Sequence, residues 1–442
     1  MALAAGIALG AAAGPSAKAV EAGDTEAVKQ ALRQAKPGDR IVLPGGVYPG
    51  GMFARNVNGQ PGKPVVVAAK DPANPPVFRG SDYGFVLESC SHVVLDGLVF
   101  EKARVNNLQM FRCRNMVIKD CVSRDIAVQS NCDGIKLTAV RDFLIIGCTV
   151  SRWGGEGSAV DMVSCAGGLI MNCRFTYPDL SGQTANTVQP KCGSTGIGVY
   201  RCRFDDSSLR AVQFGGGIGP GRENRYDYFG KLKEEGYSGV DMAAMGNVIV
   251  GGGAAAVYAS SARCAFEYNT IVDPTRYVLR ILFEGGDRPT ADNRFAGNLI
   301  VYGKVIQVAN VGGQTKPETF AFADNYWFNR LDPARSVPKL PGPQTAPAGG
   351  TDPKLDKDHR PDPKGPAAGY GAHAPGLAEA WKKHTDKFKW AWEASKAFPN
   401  SNFQLPIEKR REPAEHPATT RPVSQLEIGN RKLEIVRRSG PQ

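Results

Sequence analysis

The sequence predicts an all-β fold, a single-stranded right-handed parallel β-helix in which one coil stacks on the next. Three observations carry this. First, four segments superimpose: C-D-G-I-K-L (132–137), S-A-V-D-M-V (158–163), N-T-V-Q-P-K (186–191) and R-A-V-Q-F-G (210–215). Their second apolar residues, Ile135, Val160, Val188 and Val212, are spaced by 25, 28 and 24 residues. A period in this range signals stacked units that bury their apolar faces against their neighbours. Second, the coils close on a recurring motif, as in V-I-K-D-C (117–121), L-I-I-G-C (144–148), L-I-M-N-C (169–173), F-E-Y-N (266–269) and F-A-G-N (295–298). Third, the strands are β-branched and punctuated by glycine, with no 3.6-residue periodicity, which excludes helical repeats.

The elements follow in order. Residues 1–19 read as an export signal, an apolar run ending in Ala17-Lys18-Ala19, so the protein is expected to be secreted or periplasmic. Asp24 to Ala35 has an N-cap and an apolar stripe of Ala27, Val28, Ala31 and Leu32, the pattern of a short helix covering the first coil. The β-helix is expected over 20–332. Within it, Cys121, Cys148, Cys173 and Cys202 share one register that Asn269 and Asn298 continue, and Cys90, Cys113, Cys165 and Cys192 form a second set. Both read as inward ladders in which cysteine acts as a buried hydrophobe, so disulfides are not expected. Residues 215–239 interrupt one coil with a Gly-, Arg- and Tyr-rich insertion, either a plain excursion or a loop over the binding face. Residues 333–375 are Pro- and Gly-rich and read as irregular closing coils. Residues 376–398 read as a helix capping the C-terminal end, and 399–442 as a polar basic tail.

Alternate residues of a strand face opposite ways. If the valines face inward, Lys136, Asp161, Gln189 and Gln213 line the outside, one rung roughly 4.8 Å above the last. Extended, the column reads Gln109, Lys136, Asp161, Gln189, Gln213, Tyr258, Arg280 and Gln307. The net charge of +11 favours an anionic partner. Nucleic acid is not expected, because no helix-turn-helix, zinc-finger or RNP pattern occurs. No C-x-x-C pair supports zinc, and no apolar run is long enough to span a membrane. Of five histidines only His92 lies in the repeats, so a Ser-His-Asp arrangement is excluded there. Chemistry would rest on Lys, Arg, Asp and Gln. Register gathers Asp133, Lys136, Asp161, Asn186, Gln189, Lys191, Arg210, Gln213 and Arg280 on one face. A lysine flanked by a cation such as Arg210 could be depressed enough to act as a base. Equally, Lys136–Asp161 could be a salt-bridged ladder that only holds the rungs in register.

The opening A-K-P-G-D-R-I-V-L-P-G-G-V-Y (35–48), followed by these repeats, resembles the chondroitinase B/alginate lyase family of polysaccharide lyases and the wider pectate-lyase-like set. The resemblance covers roughly residues 20–330 and implies a lyase acting on an acidic, uronate-containing polysaccharide. It places the family's catalytic lysine, which takes the proton α to the uronate carboxylate, on Lys191 of N-T-V-Q-P-K. It also implies a calcium ion that neutralises that carboxylate. Here the chain departs from the family: the acidic calcium ligands fall on Asn186 and near Thr184, both uncharged. The assisting arginine falls near Gln213, with Arg210 three residues earlier. The expectation is therefore that Lys191 and Arg210 are catalytic, and that Lys136, Asp161, Asn186, Gln189, Gln213 and Arg280 bind substrate. Arg210 and Arg280 would then replace the metal at the carboxylate. A monomer is expected. Two alternatives stay open: a glycoside hydrolase using Asp133 and Asp161, with Asp241 and Glu284 as outlying carboxylates, and a non-catalytic glycan-binding or cell-surface protein.

Overall fold

The structure is a computed structural model that describes residues 19–127, 130–177, 186–217, 236–284 and 287–398. Residues 1–18 of the expected export signal, Thr184, positions 218–235 of the insertion and the expected basic tail lie outside the described residues.

The chain forms a parallel β-solenoid with three sheets of fifteen, twelve and ten strands among the described residues. A typical coil contributes one strand to each sheet, and the end coils and two short extra strands make the counts unequal. Ile135, Val160, Val188 and Val212 pair in register and are fully buried, as their spacing predicts. Aromatic stacks fill the interior between them, such as Phe175 on Phe204 with ring centres 5.0 Å apart. The first helix, α1 (Thr25–Gln34), is capped by the Asp24 carboxylate, which accepts from the Ala27 N–H at 2.8 Å. Its Val28 and Leu32 join the solenoid core.

The ladder from Cys121 to Cys202 runs into an asparagine ladder. Asn269 and Asn298 continue it as expected, and Asn247 and Asn325 belong to it as well. Each asparagine carbonyl accepts the backbone N–H of the rung below, as Asn298 does from Asn269 at 2.9 Å, while its amide donates to a backbone carbonyl. Asn298→Ala strands that N–H in a dry interior and takes from the Asn269 amide one of its two acceptors, leaving it the Ala244 carbonyl. We expect a loss of about 3 kcal/mol in a denaturant titration. A loss under about 0.5 kcal/mol, the range of a surface substitution, would show that the ladder is dispensable.

The second cysteine set needs correction. Cys90, Cys113 and Cys165 are inward, but register pairs Ala166 with Thr195, which puts Ser194 on that ladder. Cys192 instead sits at the corner with φ of +54°, because the stretch from Lys191 to Thr195 carries one residue more than that from Val163 to Ala166. All ten cysteines are buried and none is in a disulfide. Burial pushes the Cys165 thiol up to about 12, which leaves it unreactive.

Three further expectations change. The solenoid does not stop at residue 332: Gln344–Thr345 and Ala348–Gly349 add one more rung to two of the sheets. Tyr258 leaves the outward column, because register pairs Gln213 with Val257 and turns Tyr258 into the core. Arg280 pairs with Asn310, so Gln307 lies three residues early.

Finally, residues 376–398 do not form one helix on the C-terminal end. They fold as α2 (Leu377–Lys382), a 3-10 turn (Thr385–Phe388) and α3 (Lys389–Ser395), which lie on the outer face of the fifteen-stranded sheet. That face is apolar (Val117, Leu144, Leu169, Tyr200, Met245) and needs a cover. Trp381 stacks on Tyr200 at 4.1 Å. Phe388 fills the space over Gly198, where a Cβ would come within 2.9 Å of its ring.

Glu267 pins this segment, bonded to Arg294 and 3.4 Å from His384. Burial alone would raise its carboxyl, but His384 and Arg294 outweigh burial and hold it below the usual carboxylate range. The folded-state pKa is therefore below the unfolded one. The stability Glu267 contributes is complete above about pH 4.3 and is lost as pH falls through the folded-state value. In Glu267→Gln, the acid-side decline of melting temperature is expected to be shallower than in the wild type; superimposable slopes would contradict this.

Candidate functional site

The outer face of the ten-stranded sheet carries the polar residues that the repeats line up. Register runs from Gln109 to Lys136, Asp161 and Gln189 on successive strands. A parallel row three residues earlier runs Asn106 to Asp133, and Ser158, Asn186 and Arg210. Lys191 ends its strand, two residues beyond Gln189 and on the same face.

The centre of the site is a cluster of two carboxylates and two ammonium groups. Lys136 bonds Asp161 and lies 3.1 Å from Asp133, and Lys191 lies 3.1 Å from the second oxygen of Asp161. The cluster is layered. The side chains of Asp133 and Asp161 are 4% and 2% exposed, those of Lys136 and Lys191 22% and 12%. The carboxylates lie underneath, and what faces outward is cationic.

The electrostatics follow from the layering. Burial would raise Asp161, but Lys136 and Lys191 outweigh it, and the group is held below its ordinary value. Asp133 is raised, chiefly by burial and further by Asp161, against the pull of Lys136 and Lys191. Burial would lower Lys136, but Asp161 and Asp133 raise it well above the ordinary lysine range. Lys136 is therefore held protonated, which corrects the expectation that cationic neighbours depress a lysine here: its nearest neighbours are anions.

A second cluster lies on later rungs. Arg210 grips the Glu284 carboxylate with both terminal nitrogens, at 3.0 and 3.3 Å, and donates to Gln213 at 2.7 Å. Its charge is thus already matched, which argues against the catalytic role expected of it. It also starts its strand, in register with Asn186, whereas Lys191 is five residues further along, roughly 16 Å by strand rise. Arg280 is less committed. It lies over the Tyr277 ring at 5.0 Å and donates to the neutral Asn310 at 2.9 Å. Burial and nearby Arg210 lower its pKa, as expected of a guanidinium held beside another cation.

The two glutamines, expected to bind substrate, are buried and bonded within the protein. Gln213 is wholly buried and donates to the Gly215 carbonyl at 3.0 Å. The chain passes close above it: a Cβ at Gly216, whose φ is +103°, would sit 2.3 Å from the Gln213 amide. Gln189 is also buried, accepting from Asn186 at 3.0 Å and Ser158 at 3.3 Å. Amide stacks of this kind satisfy one another and hold the rungs in register.

Calcium does not fit here. The Asn186 carbonyl oxygen is buried without a partner, as an empty ligand position would be. Yet that residue is neutral and its register partner is the cation Arg210. The carboxylates Asp133 and Asp161 are occupied by lysines. Among the described residues no group of three acidic, histidine or cysteine side chains converges on a metal position. A hard dication needs several oxygen donors with net negative charge. Sequence reasoning missed the Tyr277 ring beneath Arg280. Its signal was the three-residue offset that also relates Arg210 to Gln213.

No protein-family model matches the sequence, and the search of curated proteins finds no match. Among solved structures, the chain is similar to a GH136 lacto-N-biosidase from Eubacterium ramulus, at 11% identity over 75% of this chain and 67% of that one, with a TM-score of 0.50. It is also similar to a PL6 family polysaccharide lyase from Pseudopedobacter saltans, at 13% identity over 80% and 99% of the two chains, with a TM-score of 0.49. An alginate lyase from Paenibacillus sp. matches at 16% identity over 75% and 98%, with a TM-score of 0.45. At these identities the likeness is one of fold, and the lacto-N-biosidase carries it: the chain shares the architecture of parallel β-helix proteins.

Proposed function

We propose that the outer face of the ten-stranded sheet binds an acidic, uronate-containing polysaccharide and cleaves it by β-elimination, in an exported, monomeric protein. One observation carries the reading: the central cluster turns the ammonium groups of Lys136 and Lys191 outward and keeps the carboxylates of Asp133 and Asp161 buried beneath them. Such a surface attracts polyanions and repels little that a uronate presents. In this reading Lys191 takes the proton α to the uronate carboxylate. The electron pair forms the new double bond, the glycosidic C–O bond β to the carboxylate breaks, and the leaving oxygen keeps that bond's electrons and takes a proton from water. Arg280, whose side-chain hydrogen-bond partner among the described residues is the neutral Asn310, lies three rungs beyond Gln189, roughly 14 Å by strand spacing. It meets the carboxylate of another sugar unit, while Lys136 adds a fixed positive charge to the developing carbanion. The resemblance of residues 35–48 and the repeats after them to the chondroitinase B/alginate lyase family supports this choice of chemistry.

The test is near-ultraviolet absorbance of unsaturated product on incubation with alginate, polygalacturonate and chondroitin. A rise with one of them is expected; none with any would overturn the lyase reading. A second reading, two-carboxylate hydrolysis, is favoured by the opposite pKa directions of Asp133 and Asp161, a split typical of an acid and base pair. Their burial under two lysines weighs against it. Reducing ends released without absorbance would select it.

A further inference from the structure

A cleft of about 500 Å³ opens on the outer face of the fifteen-stranded sheet, away from the site above. Its floor is Val94 and Val117, paired on neighbouring strands. One wall is Trp390, in the first turn of α3. The other carries His92, Arg114 and Asn115, and the turn from Gln60 to Pro64 forms the rim. The cleft exists because α3 packs on the strands Arg141–Ile146 and Ala166–Met171, so its cover stops short of the preceding two rungs.

The lining is mixed in a way that a plain gap in packing is not. It holds a broad aromatic face, an apolar floor, two side-chain amides and one guanidinium, with no carboxylate among them. Burial and the neighbouring Arg114 charge lower the pKa of His92, so its imidazole is neutral at pH 7 and Arg114 is the cation of the cleft. The volume suits a sugar-sized ligand.

We propose that this cleft is a non-catalytic binding site for one acidic sugar unit of a polysaccharide. The C–H face of the ring lies on Trp390, Arg114 takes the carboxylate, and Asn115 and Gln60 meet hydroxyls. The ligand class rests on the reading of the ten-stranded sheet as an acidic-glycan site. The cleft itself is a separate site on another sheet, and would hold the polymer while the catalytic face works.

The test follows the Trp390 indole resonance, assigned by its absence in Trp390→Ala, in the Lys191→Ala protein so that the ligand survives. Tetramannuronate and tetragalacturonate are the probes, with neutral cellotetraose as control. One acidic tetramer is expected to shift the resonance saturably, and Arg114→Gln to need about tenfold more of it. Arg114 is exposed, so this variant keeps its fold even if Trp390→Ala disturbs α3. A resonance that stays still, or that moves identically in Arg114→Gln or with cellotetraose, overturns the proposal. Saturable, Arg114-dependent shifts in a protein that yields no unsaturated product from any polymer would uphold the cleft and sink the lyase reading alone.

Discussion

Lys191→Ala is expected to lower turnover of the uronate polymer by about 10²–10⁴-fold, the usual contribution of a positioned general base. The fold should survive, because Asp161 keeps Lys136 as its counter-ion. The side chain is well placed for the role: it ends a strand, stays 12% exposed, and is steadied by one oxygen of Asp161 at 3.1 Å. A cation that merely attracts substrate would behave differently. Lys191→Arg keeps the charge, but a guanidinium does not give up its proton in a protein and cannot serve as base. We therefore expect Lys191→Arg to bind polymer nearly as tightly as the wild type and to be almost as slow as Lys191→Ala. The loss should fall on kcat, with KM little changed. Full recovery of turnover in Lys191→Arg would reduce Lys191 to an electrostatic contact and move the base elsewhere.

The fold was legible because its signal is local and repeated. Ile135, Val160, Val188 and Val212 needed only their spacing to be placed inside, and Asn269 and Asn298 only a shared register. The errors come where a coil gains a residue or a partner is distant. Cys192 left its ladder through one extra residue at a corner; Tyr258 lies one residue beyond the column position, which the apolar Val257 holds, and Gln307 three residues before its own. Arg210 pairs with Glu284, 74 residues away, and no pattern in the sequence announces that contact. The C-terminal helices were legible as helices, but not their dock. Their receptor is a stripe of outward apolar residues, among them Leu144, Leu169 and Tyr200, each unremarkable in its own coil. In the site, strand register aligns the residues that the sequence groups, but at depths that it does not give. Whether Gln189, Gln213 and Asp161 meet solvent depends on what lies above them, here two lysines and the Gly215–Gly216 segment, and alternation along a strand carries no such information.

Asp161→Ala should be among the most damaging single substitutions in the solenoid, costing about 3 kcal/mol or more in a denaturant titration. The carboxylate is 2% exposed and serves two ammonium groups at once. Without it, Lys191 loses its ion pair and Lys136 keeps only Asp133, at 3.1 Å. Asp133 is a poor substitute, since burial raises its pKa and so disfavours the charged form. The pH dependence has a definite sign. Asp161 is depressed in the folded state, so its contribution is complete above about pH 3.9 and is lost as pH falls through the lower folded-state value. Asp133 works oppositely: its raised pKa makes the folded state the better proton acceptor, and its ionisation costs stability as pH rises through the window between its unfolded and folded values. Asp161→Ala should therefore lose stability at neutral pH and little under strong acid. Because much of the damage is an ammonium left unpaired, adding Lys191→Met, which removes that ammonium and leaves the Lys136–Asp133 pair intact, should restore part of it, as apolar replacement of a buried pair often does. That double variant would recover the fold with the cationic layer reduced to Lys136. If it also bound acidic polymer normally, the charge over the carboxylates would not be what recognises the glycan, and the proposed site would have to move along the sheet toward Arg280.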